Sequence, residues 1–297
     1  MMKNNRLSAG EWVERIILAL LFIVIGGAIM IVFKPWGRLF LVARFDAHLG
    51  AIYDFLGRIG MSVLLVVAAV LLRRNKRLEK YWRICFALFI LTAALSLALI
   101  INTYLFDKLD VSDANIAGWA LPKLNECLVI ISVVIVFTWL SGGSLGSIYL
   151  QKGNLKLGLL IGGIAFLVFV PGYIPMAELL FKGEGLTVAR VLPWIPLLLV
   201  TVLANGALEE VLFRGLFLRK LEPFFGKFLS NFLIALVFTV LHKGSAYTSS
   251  EFIFLAVLVP LALVWGYVMQ KTDSVWGSIL FHAGMDIPIF LGIFSNL

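Results

Sequence analysis

Continuous apolar runs, separated by short polar connections, make up almost the whole of this 297-residue chain. Membrane β-barrel strands would instead alternate in segments of about ten residues. A bilayer core about 30 Å thick needs roughly 20 apolar residues per helix. Runs of that order fall at 16–33, 52–72, 84–106, 121–140, 155–173, 189–218, 228–242, 252–270 and 275–294. The seventh is short and the second opens on Asp54 and Arg58, an expected interfacial ion pair, so the pattern predicts eight to nine transmembrane helices. The fold class is therefore an all-α, polytopic integral membrane bundle. The first run follows a polar stretch ending at Arg15 and lacks a small-residue cleavage site, which makes it a first span and not a removed signal peptide.

Composition agrees. The chain is 61% hydrophobic and 14% charged, against about 45–50% and about 25% in soluble domains. That excludes a soluble globular enzyme, a disordered chain and a disulfide scaffold. Cys85 and Cys127 sit in or beside apolar runs without Cys-x-x-Cys spacing and read as small packing residues. The net charge of +8 is the loop signature of a membrane protein, and nucleic acid is not an expected partner.

The charges also orient the chain. Arg73, Arg74, Lys76, Arg77, Lys80 and Arg83 oppose a single Glu79, so 73–83 is expected on the cytoplasmic side. The stretch 107–126, with Asp107, Asp110, Asp113 and Glu126 against two lysines, suits the outside. Four spans further on, Arg219, Lys220 and Lys227 return to the cytoplasm, which places the N-terminus there too, in a membrane expected to be a bacterial plasma membrane. The mildly basic stretch 34–58 argues the other way, and His48 beside Asp46 reads as a solvated loop residue. Gly158 with Gly162, and Gly142 with Gly146, have the spacing that lets membrane helices approach closely. The second run is no phosphate loop, because neither a strand nor a Lys-Ser/Thr accompanies it.

The spans at 16–33, 84–106 and 155–173 hold almost nothing ionisable, whereas Glu209, Glu210, Arg214, His242, His282 and Asp286 all lie in or at the edge of C-terminal apolar runs. An ionisable residue at bilayer depth costs roughly 2.5–3.5 kcal/mol on insertion scales and marks function. His282 and Asp286 share a helix face at i, i+4, as do Glu210 and Arg214, while Glu209 points about 100° away from Glu210. At about 1.5 Å per residue, Glu209, His242 and His282 lie about 15, 21 and 12 Å from the cytoplasmic ends of their helices. They are expected to meet in one layer around a cavity opening toward the cytoplasm. A carboxylate with an imidazole can deprotonate water, directly or through a metal, and a His–Asp pair can orient that water, bind the metal or stabilise an oxyanion. No serine or cysteine stands beside a candidate base. Plainer readings exist: Glu210–Arg214 as a structural clasp, His242 as an interface residue next to Lys243, Asp286 as the cap of a break at Pro288.

Glu209-Glu210-Val-Leu-Phe-Arg214-Gly215 resembles the E-E-x-x-x-R-G motif of the CPBP family of intramembrane peptidases, the CAAX protease and bacteriocin-processing (Abi) family. Phe238-Thr-Val-Leu-His242 is similar to its F-x-x-x-H motif, and His282-Ala-Gly-Met-Asp286 to its H-x-x-x-N/D motif. The resemblance covers roughly 190–294. It divides the chain into N-terminal membrane helices without a recognisable motif (1–185) and catalytic membrane helices (186–297). It implies an endopeptidase acting on a peptide or lipidated-protein substrate in membrane lipid. Glu209 would activate water with His242, His282 and Asp286 would serve the oxyanion or metal side, and Glu210 and Arg214 would support them. Eukaryotic-type members have Asn where Asp286 stands. An ionised Asp cannot donate to an oxyanion but is a good metal ligand, which favours a divalent metal, zinc, held by Glu209, His242, His282 and Asp286. The alternatives are a catalytically silent scaffold or bacteriocin self-immunity protein, and an ion-coupled transporter. A transporter would show interrupted helices in two related halves, not charge confined to one.

Overall fold

The computed structural model describes residues 8–33, 47–108, 114–245 and 247–297. Asp46, Asp110 and Asp113 lie outside them, and His48 belongs to the first turn of a helix and not to a loop. Among the described residues there is no strand. The helices are α1 (Ala9–Val32), α2 (Ala47–Arg74), α3 (Trp82–Lys108), α4 (Ile116–Leu140), α5 (Leu155–Val168), α6 (Tyr173–Leu180), α7 (Val188–Val191), α8 (Ile195–Glu209), α9 (Leu216–Leu241), α10 (Glu251–Thr272) and α11 (Trp276–Ser295). Their starts carry recognisable caps. Ser8 and Glu11 form a capping box on α1, and the Asn115, Asn154 and Ser250 side chains accept the first free amides of α4, α5 and α10.

Eight stretches are long and apolar enough to cross a membrane, and one of them, Val188–Leu241, is 54 residues long. It holds two passes. Gly226 takes φ 71° and ψ 176°, a left-handed backbone that favours glycine, and the chain doubles back there. The Phe213 and Phe238 rings lie 5.1 Å apart, whereas an unbroken helix would separate them by about 37 Å. The short seventh run is thus the return arm, 227–241, and the described residues form nine passes.

Side-chain contacts sort the connections into two ends. At one, Lys80 pairs with Glu14 at 2.7 Å, Tyr81 stacks on Phe224, Gln151 donates to Asp273 at 2.6 Å, and Arg219 pairs with Asp273. Tyr149 donates to Glu222 at 3.0 Å, and burial together with that carboxylate pushes its phenol pKa up. The basic connections expected on one side therefore do share one end. At the other end, Ser249 N–H donates to the Leu180 carbonyl at 3.0 Å, Arg190 to the Ser295 carbonyl and Asn296 to the Lys182 carbonyl at 2.9 Å each.

One expectation changes: Gly142 and Gly146 lie in the turn after α4 and not on a helix face. Asp54 and Arg58 do pair, at 2.8 Å near the start of the second span, with side chains only 13% and 2% exposed.

Close approach then fixes α11, which carries the last motif. A methyl group on Gly162 of α5 would come within 2.5 Å of the Gly277 carbonyl, and one on Gly277 within 2.5 Å of the Gly158 carbonyl. One on Gly206 of α8 would meet Ile279 and Ala283 of α11 at 3.1–3.2 Å. Backbone touching backbone on two sides leaves α11 little room to slide or rotate.

Candidate active site

Glu209 ends α8, and the next six residues, Glu210–Gly215, form a wider π-helical turn. Such turns cluster at functional sites because they re-aim side chains that a regular helix would stack. Here neighbouring carboxylates reach opposite nitrogens of one imidazole: Glu210 Oε1 is 2.8 Å from His282 Nδ1, and Glu209 Oε2 is 3.4 Å from His282 Nε2. Asp286 Oδ1 lies 3.6 Å from the same Nε2, one turn along α11. Trp265 of α10 stacks on the His282 ring at 3.9 Å with planes 5° apart, which fixes the ring plane.

Glu210 and Arg214 form a 2.6 Å ion pair, both 0% exposed. Ser278 also donates to Glu210, and Arg214 Nε donates to the Ala262 carbonyl at 3.3 Å. The guanidinium lies 4.6 Å from the Phe238 ring centre and 5.2 Å from that of Trp265. The clasp reading of this pair is correct, but the clasp also grips His282. Since the Glu210 oxygen accepts, Nδ1 carries the proton it is offered and Nε2 is turned toward Glu209 and Asp286.

His242 follows the last residue of α9. Its Nδ1 donates to the Phe238 carbonyl at 3.1 Å, which leaves Nε2 as the outward nitrogen. Phe238 and Phe254 hold its ring at 4.7 and 5.9 Å. It lies beyond 4.0 Å of every carboxylate among the described residues and so makes no direct ion pair with Glu209. Its place at a helix end beside exposed Lys243 is as the interface reading expects, yet it also lines a cavity of about 380 Å³ with Glu209, Asp286, Asn205, Tyr247 and Trp119. Five of the six singled-out side chains thus lie within 3.6 Å of another member of the set, and His242 shares this cavity with two of them, Glu209 and Asp286.

Three points depart from expectation. The cavity is walled by 241–245 and Tyr247, and Lys243 and Gly244 are exposed at the end opposite the basic connections, so it opens away from them and not toward them. His282 does not line it and sits behind Glu209 and Asp286. Finally, α11 runs unbroken through Pro288, so Asp286 caps no break.

Asp286 is held instead by Asn205, whose Nδ2 donates to Oδ2 at 2.9 Å in a buried contact. Asn205 was not among the candidate residues, although a polar side chain four residues before Glu209 in an apolar run is a usable signal. Ser278 stands in the same relation to His282. Glu209 Oε2 is buried without a hydrogen-bond partner, although its residue lines the cavity.

For a metal the fit is incomplete. The 3.4 and 3.6 Å separations around His282 Nε2 match the edge of a tetrahedron with bonds of about 2.0–2.1 Å. Yet no three His, Cys, Asp or Glu side chains among the described residues converge to hold an ion.

No curated protein and no solved structure matches the chain. The model of the type II CAAX prenyl endopeptidase Rce1-like family matches residues 191–288, the stretch that holds all six candidate side chains, which is consistent with a CAAX protease family.

Proposed function

We propose that the protein is an intramembrane endopeptidase that hydrolyses a peptide bond with a water activated by Glu209. The observation that carries this reading is the buried Glu209 carboxylate, whose Oε2 has no hydrogen-bond partner, on the wall of a cavity that His242, Asn205 and Asp286 also line. Water between Glu209 and His242 donates one hydrogen bond to the carboxylate and one to the imidazole Nε2. Glu209 takes the proton as the water oxygen attacks the scissile carbonyl carbon. The carbonyl oxygen becomes an oxyanion, and the second Nδ2 proton of Asn205 is a donor for it; the first is spent on Asp286, which cannot donate when ionised. Collapse of the tetrahedral species breaks the C–N bond, and protonated Glu209 returns its proton to the leaving amine. His282, gripped by Glu210 and Trp265, holds the Glu209 and Asp286 carboxylates apart at fixed positions.

The substrate class follows the family's CAAX-type activity: a peptide or lipidated protein that reaches the site from the bilayer. The basic end is cytoplasmic in this reading, with the N-terminus there, in a bacterial plasma membrane. The mouth at 242–247 then faces the opposite side, which favours peptide segments delivered across the membrane. Zinc is the second reading, favoured by the ligand-like spacing about His282 Nε2. Glu209, His242, His282 and Asp286 would have to draw together from their present positions to hold it, and its chemistry would be to lower the pKa of bound water.

Purified protein, in wild-type form and as Glu209→Gln and His282→Ala, is to be compared for cleavage of prenylated CAAX-type and unmodified precursor peptides, with bound metal measured. Loss of cleavage in both folded variants is expected. Unchanged cleavage in both would remove the assignment, and loss of wild-type activity on stringent chelation would select zinc.

A further inference from the structure

Lys123 and Glu126 belong to α4, outside the matched family stretch, and sequence alone places them in an acidic outer connection. They lie within the bundle instead. Lys123 Nζ pairs with Glu126 Oε2 at 2.7 Å, with side chains 4% and 8% exposed, on a helix packed along α8. A buried ion pair is a poor source of stability, because desolvation offsets the attraction and apolar residues of similar volume do as well or better. A pair placed there needs another reason.

The cavities supply one. A second, much smaller cavity of about 20 Å³ is lined by Lys123, Glu126 and Glu209 together with apolar side chains. A single water needs roughly 10–15 Å³ and two to four polar partners, so this space fits one water and no more. Glu209 and Leu241 stand between it and the large cavity, since they line both, and Glu209 is the polar one of the two.

Resting on the peptidase reading above, we infer that Lys123 and Glu126 are positioning residues for Glu209, acting through one water held in the small cavity. The Lys123 ammonium donates to the water oxygen, and the water donates to the Glu209 carboxylate. Glu126 fixes the ammonium in that place. Glu209 is thereby anchored from behind, on the side away from the substrate, while His282 holds it from the flank. A base displaced by about 1 Å can lose about 100-fold in rate.

The test uses the full-length protein in lipid nanodiscs with a fluorogenic prenylated CAAX-type peptide and an unmodified precursor peptide. The double variant Lys123→Met/Glu126→Leu removes both charges of the pair together. We expect unfolding like wild type, kcat lower by about 10- to 100-fold, KM nearly unchanged, and partial recovery in Lys123→Arg. The exchanged variant Lys123→Glu/Glu126→Lys keeps the ion pair but moves the ammonium about 4.5 Å along α4, and it should be as slow. Wild-type kcat in either folded double variant overturns the positioning role and leaves the peptidase reading intact. Full activity in Glu209→Gln, or no cleavage of either peptide by wild type, removes the peptidase reading and this inference together.

Discussion

Replacing Glu210 by Gln tests whether the clasp beneath the site is as dry as the structure shows. The carboxylate accepts from Arg214 at 2.6 Å, from His282 at 2.8 Å and from Ser278. Glutamine keeps the volume and some hydrogen bonding but leaves the fully buried guanidinium without its counter-ion. Breaking a buried pair from one side costs about 3–5 kcal/mol. The Ala262 carbonyl and the faces of Phe238 and Trp265 remain beside Arg214, and a desolvated cation–π contact is worth about 2 kcal/mol. The expected loss therefore lies near the lower limit, about 3 kcal/mol. Because total stabilities run at about 5–15 kcal/mol, the variant should still fold. Arg214→Met should cost a similar amount, and Glu210→Gln/Arg214→Met less than the sum by at least about 1.5 kcal/mol. Unfolding by SDS in mixed micelles measures all three. A single-variant cost below about 1 kcal/mol, or additive costs, would mean that water reaches the pair, and the argument from burial would fail.

Asn205→Leu should lower kcat by about 100-fold or more, as loss of an oxyanion donor does, with little change in KM; equal loss of kcat and gain of KM would point to binding instead. Gly277→Ala puts a methyl within 2.5 Å of the Gly158 carbonyl, so α11 must shift, and cleavage should fall even where the protein still inserts; unchanged kcat would show that α11 can yield without moving His282. For orientation, Ser249→Cys and Asn75→Cys place exposed thiols at the two ends. A membrane-impermeant maleimide added to intact cells should label the first and not the second; the reverse pattern would turn the cavity mouth to the cytoplasm.

The membrane architecture could be read from the sequence because its cause is local: about 20 consecutive apolar residues cross a bilayer wherever the rest of the chain lies. The same holds for the six costly side chains, whose spacings put His282 with Asp286 and Glu210 with Arg214 on single helix turns. Charge asymmetry likewise grouped 73–83 with 219–227, and the contacts join them at one end. What depends on the third dimension escaped. Gly226 in φ 71° makes one long apolar stretch into a hairpin, and only that reversal carries His242 back to the layer of Glu209. The π-helical turn sends Glu209 and Glu210 to opposite nitrogens of one ring, a result no i, i+4 count contains. Which end the cavity opens toward is decided by where 242–245 and Tyr247 line it together with Asn205 of α8 and Asp286 of α11, and not by depth along any one helix. Asn205, Lys123 and Glu126 were visible as letters. Their meaning came from neighbours 81 residues away, in the case of Asn205 and Asp286, or across a water-sized space, and a linear pattern records neither.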